Sequence, residues 1–188
     1  NSSITATKRN IATINNLKEL GVNITTNNKE AVKNSEIILM AVKPYNILAI
    51  LEEFKEVIDA KKHTIVSLAT GVTITEIKEV VGNDVPVFRA MPNTAADVTE
   101  SLTCICHNNE DKELENDLTN LFNTIGKTLV INEDLMEAAT VLGACGIAYV
   151  MRFIRAMIQG GVEIGFDAKT ASTIVNQTVK GAAQLLIE

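Results

Sequence analysis

Up to Asn132, short runs of strand-like or continuous apolar sequence alternate with stretches whose apolar residues recur every three or four positions. The opening SITATK alternates like a strand, and Ile11, Ile14, Leu17 and Leu20 follow at helical spacing until Gly21 closes the segment. VNITT reads as a second short strand and KEAVKNS as a helical turn. Glu36 to Val42, EIILMAV, is a continuous apolar run suited to a sheet buried on both faces. From Asn46, the stripe Ile47, Leu48, Leu51, Phe54, Val57 and Ile58 predicts a helix. TIVSL from Thr64 predicts a strand, Thr75 to Val81 a short helix, and Pro86 to Ala90 another strand. Single strands alternating with single amphipathic helices are the pattern of βαβ units, so the expected class is α/β with a mostly parallel sheet.

LTCICH and KTLVI add two strands around a helix carrying Leu114, Leu118, Leu121, Phe122 and Ile125. After Asn132 the period changes. A long helix is predicted from Glu133 to about Gln159, ended by Gly160-Gly161, and Asp167 is placed to cap a last helix reaching Leu186. The boundary therefore falls near Asn132, with an α/β unit over 1–132 and helices over 133–188. The second segment is too short for a large core of its own, yet it carries Met151, Phe153, Ile154, Met157, Ile158, Ile174, Val175 and Val179. It must pack on the first unit or on another subunit, and homo-oligomerisation is expected.

Composition narrows the class. The 188 residues are 46% hydrophobic, enough for a substantial core. Seventeen Lys plus Arg against 23 Asp plus Glu give a net charge of -6 with no basic run, so no nucleic-acid partner is expected. Cys104, Cys106 and Cys145 are an odd number in a chain that needs no staples, which points to a reducing, cytoplasmic compartment. No uninterrupted apolar segment approaches about 20 residues and the first residues lack a secretory pattern, so neither a membrane span nor export is expected.

Candidate chemistry gathers at three strand ends: Ala41-Val42-Lys43-Pro44, Ser67-Leu68-Ala69-Thr70-Gly71 and Met91-Pro92-Asn93-Thr94. Open parallel sheets bind ligands beyond the carboxyl ends of their strands. Each turn alone also reads as ordinary loop punctuation, with Pro44 and Pro92 fixing φ and Asn93 and Thr94 satisfying turn backbone. Taken together they favour a small-molecule site. Thr7-Lys8-Arg9 follows the first strand, where an arginine can meet the extra phosphate of NADP or simply face solvent. The first glycine is Gly21, so no G-x-G-x-x-G turn stands ahead of this strand in the sequence, and the pyrophosphate cradle of a dinucleotide domain is missing from it.

The remaining polar groups read as structural. Cys104 and Cys106 lie on one side of a strand with His107 opposite, a spacing that fits buried thiols and no metal site. His63 lacks the partners of a nucleophilic triad, and Glu133, Asp134 and Glu137 suit a helix start. Gly143 and Gly146 interrupt an apolar helix at roughly 1 kcal/mol each, which close approach of a helix or ligand would justify. Cys145 between them has no recognisable base.

With these elements in place, the chain resembles the pyrroline-5-carboxylate reductases. The resemblance is carried by AVKP at 41–44, VSLATGV at 66–72, FRAMPNTAADV at 88–98, EDLMEAATVLGACGIAYV at 133–150 and GGVEIGFDAKTA at 160–171. It implies a Rossmann-like NAD(P)-binding domain, here expected to lack its first strand and glycine-rich loop, followed by an all-helical dimerisation domain expected to continue past Glu188. It also implies reduction of 1-pyrroline-5-carboxylate, a small cyclic imine, to L-proline by NADPH, with NADH as an alternative donor, in a homodimer that many members assemble into larger rings.

By the resemblance, Thr7, Lys8, Arg9, Asn28, Ala41, Val42, Lys43, Pro44, Leu68, Ala69 and Thr70 contact the cofactor. Lys43, Pro44, Met91, Pro92, Asn93, Thr94, Cys145 and Gly146 border the active-site cleft, with Lys43 organising charge. The family's Ser-Gly-Ser-Gly-Pro-Ala-Tyr is replaced here by Gly143 to Tyr149, losing two hydroxyls and a proline, and Ala95 replaces the second proline of MPNTPA. Two other readings stay open: another imine or β-hydroxyacid reductase, and a catalytically weak dimerising relative.

Overall fold

The computed structural model describes residues 3–187. Two sheets carry the first unit, the smaller parallel and the larger mixed. The smaller pairs β1 (Thr5–Thr7) with β2 (Asn23–Thr25), and the larger runs in the order β3 (Ile37–Met40), β4 (Thr64–Ser67), β5 (Val87–Met91), β6 (Ser101–His107), β7 (Gly126–Val130). All neighbours in the larger sheet are parallel except β5 and β6. This is the Rossmann-like α/β region expected, followed by an all-helical segment.

The larger sheet is covered on both faces because its central strands are apolar at successive positions. In β4, Ile65 joins one core cluster and Val66 the other. In β5, Val87 and Met91 point to the first cluster, Phe88 and Ala90 to the second. On the first face lie α2 (Pro44–Phe54), through Ile47, Leu51 and Phe54, and α3 (Ile74–Val81), through Ile74 and Ile77. On the second lies α4 (Lys112–Asn123), through Leu118 and Phe122. Cys104 and Cys106 face the first cluster and Ile105 the second, as the period-two reading requires. Burial, then the charge of Glu133, pushes the Cys106 thiol up to about 11.

Four expectations change. The Ile11–Leu20 segment is a 3-10 helix rather than an α-helix, and its apolar spacing of three at Ile11, Ile14 and Leu17 matches that tighter period. In β3, Ile38 and Met40 are buried while Ile37 and Leu39 are 40% and 48% exposed, because only one face of this strand is covered. The helix after Lys43 begins at Pro44, where the fixed φ and missing N–H suit a first helical position, and it gives way after Phe54 to a 3-10 turn at Lys55–Val57.

The fourth change concerns the helical segment. It opens with a 3-10 turn at Glu133–Leu135 and α5 (Met136–Ala139), passes through a π-helical turn at Thr140–Ala144, and continues as α6 (Gly146–Glu163). Gly160-Gly161 therefore lies inside α6. The stop comes at Gly165, whose φ of +112° an L side chain rarely adopts. Of the pair, Gly161 permits a close approach to the next helix, since a Cβ on it would stand 3.1 Å from the Ala171 Cβ, whereas Gly160 faces open space. Asp167 caps α7 (Ala168–Ile187) by accepting from the backbone N–H groups of Lys169 and Thr170. Much of the apolar surface of this segment stays uncovered, including Leu142, Tyr149, Met151, Phe153 and Ile174.

Candidate active site

The parallel register sets the three strand-end turns side by side. Met40 pairs with Ser67, and Ser67 pairs with Arg89, so β3, β4 and β5 end along one edge, with β5 running two residues further. The edge is closed by backbone as well as by register: Leu68 N–H donates to the Met40 carbonyl at 3.2 Å. Ala41, Val42, Lys43 and Pro44 lead off β3 into the N-terminus of α2, with the Lys43 side chain exposed. Leu68 and Thr70 are half-buried, Ala69 is buried, and Ala69 N–H donates to the Ser67 hydroxyl. Gly71 holds a φ of +74° with open space where a side chain would stand, so backbone there can lie against a flat ligand.

The turn after β5 is the most heavily tied. Asn93 N–H donates to the Ser101 hydroxyl, and the Asn93 side-chain oxygen accepts from Ala95 N–H, capping the 3-10 turn Thr94–Val98. Its amide then reaches across to donate to the Gly143 carbonyl at 3.2 Å. That carbonyl sits in the π-helical turn, where Cys145 N–H bonds back to Thr140. π-Turns recur at functional sites because the extra residue redirects backbone groups. Asn93 is thus joined to the turn that carries Gly143, Ala144 and Cys145, and Cys145 is exposed there.

Thr7, Lys8 and Arg9 stand at the end of β1, in the smaller sheet. The Lys8 and Arg9 side chains are exposed and form no ion pair among the described residues, so both cations are open to an anion. Asn28 lies in α1 (Asn28–Lys33), where its amide donates to Glu53 of α2 at 3.0 Å and joins the two helices. A donor set of free cations, a glycine with left-handed backbone and aligned strand ends fits a phosphorylated, planar cofactor. Two surface depressions lie elsewhere: one of about 260 Å³ at the opposite ends of the strands, lined by Lys78, Asp84 and Asn109, and one of about 330 Å³ between α6 and α7.

Sequence reasoning missed the group that joins this edge to the helical segment. Arg89, 3% exposed in β5, donates from Nη1 to Glu133 Oε1 at 3.0 Å and from Nη2 to Glu137 Oε1 at 3.4 Å. The same Glu133 oxygen accepts Ile74 N–H at 2.7 Å, one of the backbone donors that every helix leaves unpaired at its start. Glu133 and Glu137 therefore bind a buried cation instead of merely capping a helix. A signal was present: an arginine inside the apolar strand VFRAM demands a counter-charge.

Residues 133–188 match the family profile for pyrroline-5-carboxylate reductase dimerisation, and residues 1–71 that for NADP oxidoreductase, coenzyme F420-dependent. The chain is 40% identical to pyrroline-5-carboxylate reductase 1 of Dictyostelium discoideum, over 100% of this chain and 36% of that protein. It is 37% identical to pyrroline-5-carboxylate reductase 2 of the same organism, over 100% of this chain and 68% of that protein. The crystal structure of Plasmodium falciparum pyrroline carboxylate reductase with NADP bound superposes with a TM-score of 0.86 at 26% identity, covering 100% of this chain and 79% of that one. The chain thus spans about a third of the first relative and two thirds of the second.

Proposed function

The chain belongs to the pyrroline-5-carboxylate reductase family, and from that premise we propose that it reduces 1-pyrroline-5-carboxylate to L-proline with NADPH. The observation that carries the reading is the meeting of aligned strand ends with the π-turn of the helical segment, bridged by Asn93 and Gly143. The cofactor supplies the hydride for the C=N carbon. This chain's residues supply alignment. The turns at Ala41 to Pro44 and Leu68 to Thr70 cradle the planar ring, and Lys43, exposed beside it, offers positive charge to a carboxylate. Met91 to Thr94 and Cys145-Gly146 border the imine side. Arg9 and Lys8, free of ion pairs among the described residues, take the 2′-phosphate and favour NADPH over NADH.

The second copy is the partner that the apolar surface of α6 and α7 calls for. Exposed Leu142, Tyr149, Met151 and Phe153 match what a helical dimer interface buries, and a ring of such dimers would use the same principle again. The run Glu133–Glu163 is also long and apolar enough to cross a bilayer by length and composition. Exposed Arg152 and Arg155 near its middle argue for a protein partner, since a charge at mid-bilayer costs about 3 kcal/mol or more. Free Cys104, Cys106 and Cys145 support a reducing, cytoplasmic setting.

The test is NADPH oxidation by the purified protein with 1-pyrroline-5-carboxylate, with other cyclic imines and with a β-hydroxyacid in the reverse direction. Turnover highest on 1-pyrroline-5-carboxylate is expected. Turnover confined to another substrate, or none on any, would overturn the proposal.

A further inference from the structure

Two anchors join β5 and its turn to the helical segment, and they sit at different heights. At the upper end Asn93 holds the Gly143 carbonyl. Four residues earlier, about 13 Å back along an extended strand, Arg89 holds Glu133 and Glu137. On the helical side Glu137 lies six residues before Gly143, about 9 Å along the axis, and Glu133 one turn further back. One hydrogen bond alone would let the helix pivot about Asn93. Met136, fully buried, packs at the same level, yet apolar contact has no preferred direction. The guanidinium does: its planar fork takes two carboxylates in a fixed geometry. Glu133 also receives Ile74 N–H, so the clamp gathers β5, the first turn of α3 after the Gly71 loop, and the helical segment at one carboxylate.

We infer that Arg89 is a positioning residue: by clamping Glu133 and Glu137 it fixes where the turn 143–146 stands against the turn 92–94. It touches neither cofactor nor substrate, and it acts through the helix. The inference deepens the proposed function, resting on the reading that these two turns border the reacting atoms.

Cys145 reports the position without any substrate. It is exposed, whereas Cys104 and Cys106 are buried, so the rate of Cys145 modification by an aromatic disulfide, resolved by peptide mass, reads the turn locally. In Arg89→Met the Cys145 rate is expected to change by about threefold or more while Cys104 and Cys106 stay unmodified, with Arg89→Lys in between. With NADPH and the imine, kcat is expected to fall about tenfold or more at a KM for NADPH within about twofold of the parent, since the cofactor turns are untouched.

An unchanged Cys145 rate in Arg89→Met would overturn the inference, as would a loss of kcat matched by an equal rise in KM for NADPH. If Arg89→Met exposes all three thiols, the decision passes to Glu133→Gln, which must alter Cys145 alone for the inference to stand. A parent protein that fails to oxidise NADPH with the imine would sink the proposed function and leave the thiol rates to decide the role of Arg89.

Discussion

Glu133→Ala and Arg89→Met remove opposite halves of one ion pair, and the structure makes the losses unequal. In Glu133→Ala the guanidinium keeps its charge at 3% exposure, with only Glu137 left, 3.4 Å away and 64% exposed. Breaking a buried pair from one side costs about 3–5 kcal/mol, and because Glu133 is itself 32% exposed the lower end applies. The orphaned Ile74 N–H adds about 1 kcal/mol, for a total near ~4 kcal/mol. In Arg89→Met the charge leaves the interior and an unbranched apolar side chain takes its place on the face of Val87 and Met91. The Nε group, buried without a hydrogen-bond partner among the described residues, disappears, the exposed Glu137 turns to water, and Glu133 keeps its bond from Ile74 N–H. That substitution should cost about 1 kcal/mol. The difference of about 3 kcal/mol corresponds to roughly 6–12 °C in Tm for a chain of this size. Thermal and urea unfolding followed by circular dichroism at neutral pH measure it. An Arg89→Met protein that unfolds as early as Glu133→Ala would refute the reasoning, because the cost would then lie in the arginine's packing and not in a stranded charge.

Two glycines with left-handed or nearby backbone should separate cleanly. At Gly126, φ +150°, a Cβ would stand 1.9 Å from the Ser101 carbonyl oxygen, so Gly126→Ala should lose more than about 4 kcal/mol and much of its soluble yield. At Gly71, φ +74°, nothing lies within 4 Å, so Gly71→Ala should lose only about 1–2 kcal/mol by urea unfolding. Burial, aided by Lys62, holds the His63 imidazole below its ordinary 6.5. The unfolded chain takes up that proton first, so this contribution is complete above pH 6.5 and is lost as the pH falls below it. Unfolding free energy should therefore drop more steeply as the pH falls below 6.5 in the parent than in His63→Gln, and equal slopes would count against it. Phe153→Asp places a charge on the exposed apolar face of α6 and should shift the protein toward monomer in sedimentation velocity, with its circular dichroism unchanged.

What the chain could announce on its own were the features set by neighbours in sequence. Period-two burial put Cys104 and Cys106 on one face, a switch to helical period after Asn132 marked where strands stop, and Asp167 met the two N–H groups that its position predicted. The turns at Lys43, Thr70 and Asn93 were legible for the same reason: proline, glycine and short polar side chains act on their own backbone. Tertiary structure decided the rest. The pairing of Arg89 with Glu133 spans 44 positions, and neither residue carries a local sign of the other. The exposed face of β3 depends on what covers it, and the use made of Gly161 inside α6 depends on Ala171 arriving close enough to fill the space of the missing side chain. A hydrogen bond from Asn93 to Gly143 likewise exists only once a strand end and a helix turn have been brought within 3.2 Å. Local pattern fixes period and turn, but a contact between distant elements is set by the packing of both, and that geometry is written nowhere short of the whole fold.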